Sequence, residues 1–224
     1  VTTTMPLAEQ LAESAAHAEF AGHPFFRNVK AEDWDRDKVA VLLGQWWHPL
    51  HYFPTFLARC VAVLPDIASK SAITLILNQE AGGGKEAMAH EVIYADSMER
   101  AGFARAAVTG TEPFAETAEL VAGYERGSAG WKSALGYIYA TETTDLLMVS
   151  SIGQAVAAVT GGADNEWVRI HVQQEPDHVE EAEHALLTGF APDVEAEVLA
   201  GADEMWRLWT RFFDRLVAET GMAS

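Results

Sequence analysis

The residues 171–178, HVQQEPDH, place His171, Glu175 and His178 at i, i+4 and i+7. At the pitch of an α-helix these three side chains fall within roughly 60° of one another. Two imidazoles and a carboxylate then face one volume. That donor set suits iron, zinc or manganese, and its histidine content argues against magnesium or calcium. The competing explanation is a solvated acidic helix, because Glu180, Glu181 and Glu183 follow directly.

Two further stretches hold side chains of the same chemistry. Asn78-Gln79-Glu80 leads into Gly82-Gly83-Gly84, and His90 follows Glu80 by ten residues. If one helix ran through the glycines, Glu80 and His90 would sit about 80° apart on its surface. The glycines themselves point to a break or to a close approach of backbone, since each costs roughly 1 kcal/mol relative to alanine in a helix. No strand precedes them and no Lys-Ser/Thr follows, so this is not a phosphate loop. The third stretch carries Glu142 in a long apolar segment between Tyr139 and Leu146. An acid there must be paired, turned to solvent or bound to a metal, because an unpaired buried charge is expensive. Together the three stretches offer three carboxylates and three imidazoles. Two divalent ions would leave such a site nearly neutral and therefore buriable, a combination found in non-haem diiron centres that activate O₂.

The elements that must position these groups are all helical. Residues 7–20 are rich in Ala, Leu and Glu and predict an opening amphipathic helix. A second helix is expected over 36–64, with Asp33 or Asp35 near its start and kinks at Pro49 and Pro54. Its centre, QWWHPLHYFPTFLARC, is either aromatic core or the wall of a pocket. The ligand-bearing helices fall near 66–101, 131–160 and 165–187, the last bent at Pro176. A short helix over 112–126 and a final one over 192–219 complete the pattern. No segment alternates with a period of two, so no sheet is expected. The chain reads as one all-α domain over 1–224, a bundle of seven to eight helices.

With 33 acidic against 15 basic residues the net charge is −18, which disfavours nucleic acid and anionic membrane as partners. The longest apolar stretch, 146–159, is interrupted by Ser150, Ser151, Gly153 and Gln154 and is too short to span a bilayer. One cysteine, Cys60, excludes an intramolecular disulfide. A cytoplasmic location fits these features, and no signal peptide is visible in residues 1–10. His17 and His23, at the end of the first helix, suit capping or packing; either would be the proximal ligand if the protein held haem.

The order Glu, His ten residues later, Glu, then H-x₃-[D/E]-x₂-H resembles the haem-oxygenase-like diiron oxidases and oxygenases, relatives of the TenA and PqqC folds. The N-x-E-x-GGG run at Glu80 and the HPFF segment at His23 belong to the same likeness, which spans roughly residues 20–185. It implies a haem-oxygenase-like helical bundle. It also implies that Glu80, His90, Glu142, His171, Glu175 and His178 hold two Fe(II) per chain, with Glu80 or Glu142 able to bridge. O₂ would be the co-substrate, and a small molecule such as an amino acid, amine or fatty acid the target, in the biosynthesis of a specialised metabolite. An external electron donor is compatible with it. Three departures stand out. Glu175 takes a place more often held by Asp, Ala87 stands where some members have another ligand, and no acid occurs at 48–55, where His48 and His51 are the nearest metal-capable groups. The last departure turns the expectation from N-oxygenation toward desaturation, C–C cleavage or hydroxylation.

Trp47, His51, Tyr52, Phe56 and Tyr139 are the candidate substrate-binding residues, with Trp46 beside them and Arg59 or Arg169 as possible carboxylate partners. The alternatives are a metal-free TenA- or PqqC-like enzyme, a dinuclear zinc hydrolase, and a helical interaction domain. The aromatic last helix, with Trp206, Trp209, Phe212 and Phe213, offers either a homodimer face or core.

Overall fold

The computed structural model describes residues 5–162, 164–186 and 190–222, with Glu175 described by its backbone alone. These residues form eleven α-helices and one 3₁₀ turn, and no strand occurs among them. In chain order they are α1 (Leu7–Ala12), α2 (Ala15–Ala21), α3 (Pro24–Asn28), α4 (Arg36–Val63), α5 (Ile67–Glu80), the 3₁₀ turn Glu86–Met88, α6 (His90–Arg100), α7 (Arg105–Thr109), α8 (Ala115–Gly127), α9 (Trp131–Thr160), α10 (Glu166–His184) and α11 (Pro192–Thr220).

The all-α expectation holds, and the expected seven to eight helices become eleven for local reasons. The opening helix splits because the Ser14 hydroxyl accepts from the backbone N–H groups of Ala16 and His17 and so starts α2 afresh. The His23 ring likewise caps α3 by accepting from Phe25 N. The expected 66–101 helix is divided at the glycines, where Gly82, Gly83 and Gly84 all take positive φ. The long helices start close to where their capping residues sit. Asp35 accepts from Lys38 N at 2.8 Å and opens α4, Asp66 accepts from Ser69 N at 2.8 Å and opens α5, and Asn165 accepts from Val168 N at 3.3 Å and opens α10. Helices α9 and α11 end on left-handed glycines, Gly161 and Gly221. Pro49, Pro54 and Pro176 lie inside α4 and α10 without ending them.

α9 is the spine of the bundle and packs against α4, α8, α10 and α11. Its crossing with α11 is close because both helices present glycine there. A Cβ at Gly136 would stand 2.7 Å from Ala202 N, and one at Gly201 would stand 2.9 Å from Ser133 O. The buried threonine and serine hydroxyls of α9 are satisfied within the helix itself. Thr141 Oγ1 donates to Tyr137 O at 3.0 Å, Thr144 Oγ1 to Ala140 O at 2.6 Å, and Ser151 Oγ to Leu147 O at 2.7 Å.

A continuous cluster of buried apolar side chains draws on every α-helix. Trp206, Trp209, Phe212 and Phe213 are buried within it, so the aromatic face of α11 serves the chain's own core. Burying each such ring is worth about 1.5–3 kcal/mol. No described helix is long and apolar enough to cross a membrane.

Candidate metal centre

Helices α5, α6, α9 and α10 bring Glu80, His90, Glu142, His171 and His178 into the core, each at most 4% exposed. Helix continuity does not join Glu80 to His90. The chain turns through the three glycines and the 3₁₀ turn, and α6 begins at His90. The loop thus delivers the imidazole to the carboxylate from a second direction. Glu175 belongs to the same face of α10 by its backbone position; its side chain lies outside the described residues.

Glu80 is central. Its Oε2 lies 3.0 Å from His90 Nδ1 and its Oε1 lies 3.9 Å from His178 Nδ1. His178 Nδ1 is also 3.3 Å from Glu142 Oε2. Donor atoms of Glu80, His90 and His171 all lie within 4.8 Å of one another. Glu80 thus adjoins two groups that are candidate half-sites of a metal centre, His90 with His171 and Glu142 with His178.

Each imidazole has one ring nitrogen held from outside. His90 Nε2 is 2.9 Å from Gln174 Oε1, His178 Nε2 is 2.8 Å from Gln79 Oε1, and His171 Nδ1 is 2.8 Å from Trp167 O. All three partners accept hydrogen bonds, so each fixes the ring proton on the outer nitrogen. The inner nitrogens, Nδ1 of His90 and His178 and Nε2 of His171, are thereby turned toward the carboxylates. Such outer acceptors are the usual support of metal-bound histidine. Two buried atoms complete the test of fit. His90 Nδ1, although 3.0 Å from Glu80, is not aligned with it as donor to acceptor, and Glu142 Oε1 has no hydrogen-bond partner among the described residues. Imidazole nitrogens and carboxylate oxygens converging in a buried space are a donor set that a cation would satisfy. The donor set fits iron.

The electrostatics follow from burial and these neighbours. Burial opposes the charge of Glu80, but His90 outweighs it and holds the carboxyl at about 2. Burial, aided by His90, lowers His171 to about 4 and keeps it neutral. For His178 burial works downward, yet the hydrogen bond and charge of Glu142 prevail and raise it to about 9. His90 is raised against its own burial by Glu80. Burial raises Glu142, with His178 acting in the opposite sense.

A cavity opens beside the cluster. Glu80, Glu142 and His171 form one wall, and Trp46, Pro49, Leu50, Phe53, Tyr124 and Trp209 supply most of the rest, with Thr141 and Asp145 between. The helix expected to supply a pocket wall does supply one, through Trp46 and three neighbours on its face. Residues 46, 49, 50 and 53 follow the i, i+3, i+4, i+7 spacing that faces the cavity. Of the expected substrate residues, none lines it. Trp47 and Tyr52 are half-buried beside that face, and Trp47 stacks on the exposed His51 at 5.1 Å between centroids. Phe56 packs against Tyr124 at 4.6 Å, and Tyr139 lies 6.4 Å from Trp206. His51 instead meets Glu91 at 2.7 Å and borders an open surface groove whose lining includes Glu80. Arg59 donates to Ser128 at 2.8 Å, and Arg169 stands 3.9 Å from Asp164, so neither reaches the cavity.

Other expectations resolve in the same way. His48 Nε2 is held 2.9 Å from Thr111 O, away from the cluster. His17 meets Ala12 O at 3.1 Å, and His23 is a cap whose Nε2 lies 3.1 Å from Asp214 Oδ1, so neither is placed as a haem ligand. Cys60 is fully buried, and burial drives its thiol far above the usual range, so it is no nucleophile. Sequence reasoning passes over Gln79, Gln174 and Asp145. The first two adjoin the ligand positions Glu80 and Glu175, and Asp145 follows Glu142 at i+3, one helical turn on; those spacings are the available signal.

Residues 40–210 match the family model described as iron-containing redox enzyme, of haem-oxygenase type, and the chain belongs to that family. It is 25% identical over 215 residues to 4-chloro-allylglycine synthase of Streptantibioticus cattleyicolor, covering 91% of this chain and 79% of that protein. Among solved structures it is similar to a CADD-like protein of unknown function from Nostoc punctiforme (TM-score 0.78, 17% identity, 96% of each chain covered). A domain with a haem-oxygenase-like fold from Shewanella denitrificans superposes with a TM-score of 0.75 at 19% identity, over 96% of this chain and 92% of the other. A TenA homologue from Pseudomonas syringae gives 0.73 at 13% identity, over 95% and 93%. The haem-oxygenase-like fold is thus common to this chain and these solved structures.

Proposed function

We propose that this member of the iron-containing redox enzymes is an oxidase or oxygenase that holds two Fe(II) ions and uses O₂ to oxidise a small molecule. The ligands are Glu80, His90, Glu142, His171, Glu175 and His178, with Glu80 shared between the two half-sites. The observation that carries this reading is the orientation of the three imidazoles. Each is tethered on its outer nitrogen, and each presents its inner one toward Glu80, Glu142 or Asp145. A structural ion pair would need no such matched set of outer acceptors.

When bound, the irons supply the electrons and the redox chemistry that O₂ activation requires. The chain's own residues do the rest. Gln79, Gln174 and the Trp167 carbonyl hold the outer nitrogen of each ring and so turn the inner nitrogens toward the site. The aromatic wall of Trp46, Phe53, Tyr124 and Trp209 excludes water and grips an apolar substrate body. The buried indole N–H of Trp46 has no acceptor among the described residues and is available to a polar substrate group. An amino acid or amine is the preferred substrate class, supported by the distant likeness to a synthase of an unsaturated chlorinated amino acid. An external electron donor and a cytoplasmic setting belong to the same reading.

The test is anaerobic loading with Fe(II), removal of excess metal, quantitation of iron, and mixing with O₂ in a stopped-flow spectrometer with and without candidate amino acids. Two irons per chain and a transient visible band support the proposal. No retained iron, or two zinc ions held in preference with no response to O₂, would overturn it.

A further inference from the structure

The two half-sites are unequally furnished. Among the described side chains, the one built on Glu142 and His178 has a carboxylate of its own besides the shared Glu80, whereas the one built on His90 and His171 has Glu80 alone. Asp145 stands at the poorer side. Its Oδ2 lies 3.9 Å from His171 Nε2, and it borders the cavity that exposes the cluster. A distance of 3.9 Å is too long for a hydrogen bond. Moreover, the Trp167 carbonyl holds the His171 proton on Nδ1, so Nε2 and Oδ2 face each other as two acceptors.

Two donors on one ion, each about 2.0–2.2 Å from it, stand roughly 3–3.5 Å apart. The 3.9 Å between Asp145 Oδ2 and His171 Nε2 is within about 1 Å of that spacing. Its place on α9, one turn beyond Glu142, turns both acids to the same side of the helix. Charge points the same way: two divalent ions carry four positive charges and Glu80, Glu142 and Glu175 return three, so a fourth carboxylate makes the buried site neutral.

Resting on the metal-centre reading above, we propose that Asp145 is a further metal ligand that completes the His90–His171 half-site. The test is titration of metal-free protein with Co(II), whose visible absorption reports coordination number, for the wild type and for Asp145→Asn, Asp145→Glu and His171→Ala. Thermal unfolding of the metal-free forms shows that each variant folds. The wild type is expected to take two Co(II). Asp145→Asn is expected to keep one at wild-type affinity and bind the other at least tenfold more weakly with an altered band, as His171→Ala does. Asp145→Glu restores much of the second site. Two ions bound by Asp145→Asn with unchanged affinity and spectrum would overturn the assignment while leaving the metal centre intact. A wild type that binds no Co(II) would instead overturn the metal centre itself.

Discussion

Glu80 and His90 belong to different helices on either side of three positive-φ glycines, yet Glu80 Oε2 comes within 3.0 Å of His90 Nδ1 in the core. With its other oxygen turned to His178 at 3.9 Å, Glu80 is, among the described side chains, the carboxylate that faces both proposed half-sites. A shared ligand makes the occupancy of the two positions interdependent.

Glu80→Gln keeps the shape and removes the charge. Its expected effect is loss of both ions rather than one, with retained iron falling from two per chain to well below one after gel filtration. Elemental analysis reads this directly. Retention of one full equivalent would show that the half-sites are independent.

Proton release should accompany metal uptake. At pH 7 His178, raised to about 9 by Glu142, still carries its proton, whereas His171, lowered to about 4, does not. A metal at the inner nitrogen of His178 must displace that proton. Affinity is therefore expected to rise about tenfold per pH unit for each proton displaced, and the His178 contribution should end above pH 9. Calorimetry in buffers of different ionisation enthalpy counts the protons. Uptake at pH 7 without proton release would contradict the arrangement.

The glycine loop is expected to be unequal in its tolerance. Gly82 has φ +81, and a Cβ there would come within 2.5 Å of Ala89 N and 2.7 Å of Met88 C, immediately before His90. Gly83 has φ +60 but open space around it. Gly83→Ala should cost about 1 kcal/mol, and Gly82→Ala about 2–4 kcal/mol with weakened metal binding, because the loop aims His90. Urea unfolding of the metal-free variants, followed by Co(II) titration, distinguishes the two.

Gly136→Ala should force α9 and α11 apart, since the added methyl meets Val198 O and Ala202 N. Overpacking of this kind costs about 1–3 kcal/mol. A thermal melt of the variant should show the loss, and an unchanged melting temperature would mean that the crossing relaxes freely.

The sequence by itself determined the helical class, the approximate starts of α4, α5 and α10, and the residue types that the cluster would draw on. Capping depends on neighbours within four residues, and ligand type and spacing are local facts. It left open whether Glu80 and His90 share a helix, because three glycines permit both a continuation and a turn; packing of α6 against α4, α5 and α10 chose the turn. It also left open the rotation of α4. Trp46, Trp47, Tyr52, Phe53 and Phe56 make both faces of that helix aromatic, so periodicity gives the spacing without the side that faces inward. Contacts with α8 and α9 turned Trp46, Leu50 and Phe53 to the cavity and left Trp47 and His51 outside it. Gln79, Gln174 and Asp145 acquire their places only where α5, α9 and α10 meet, because no local pattern records which distant side chain an amide or a carboxylate will face.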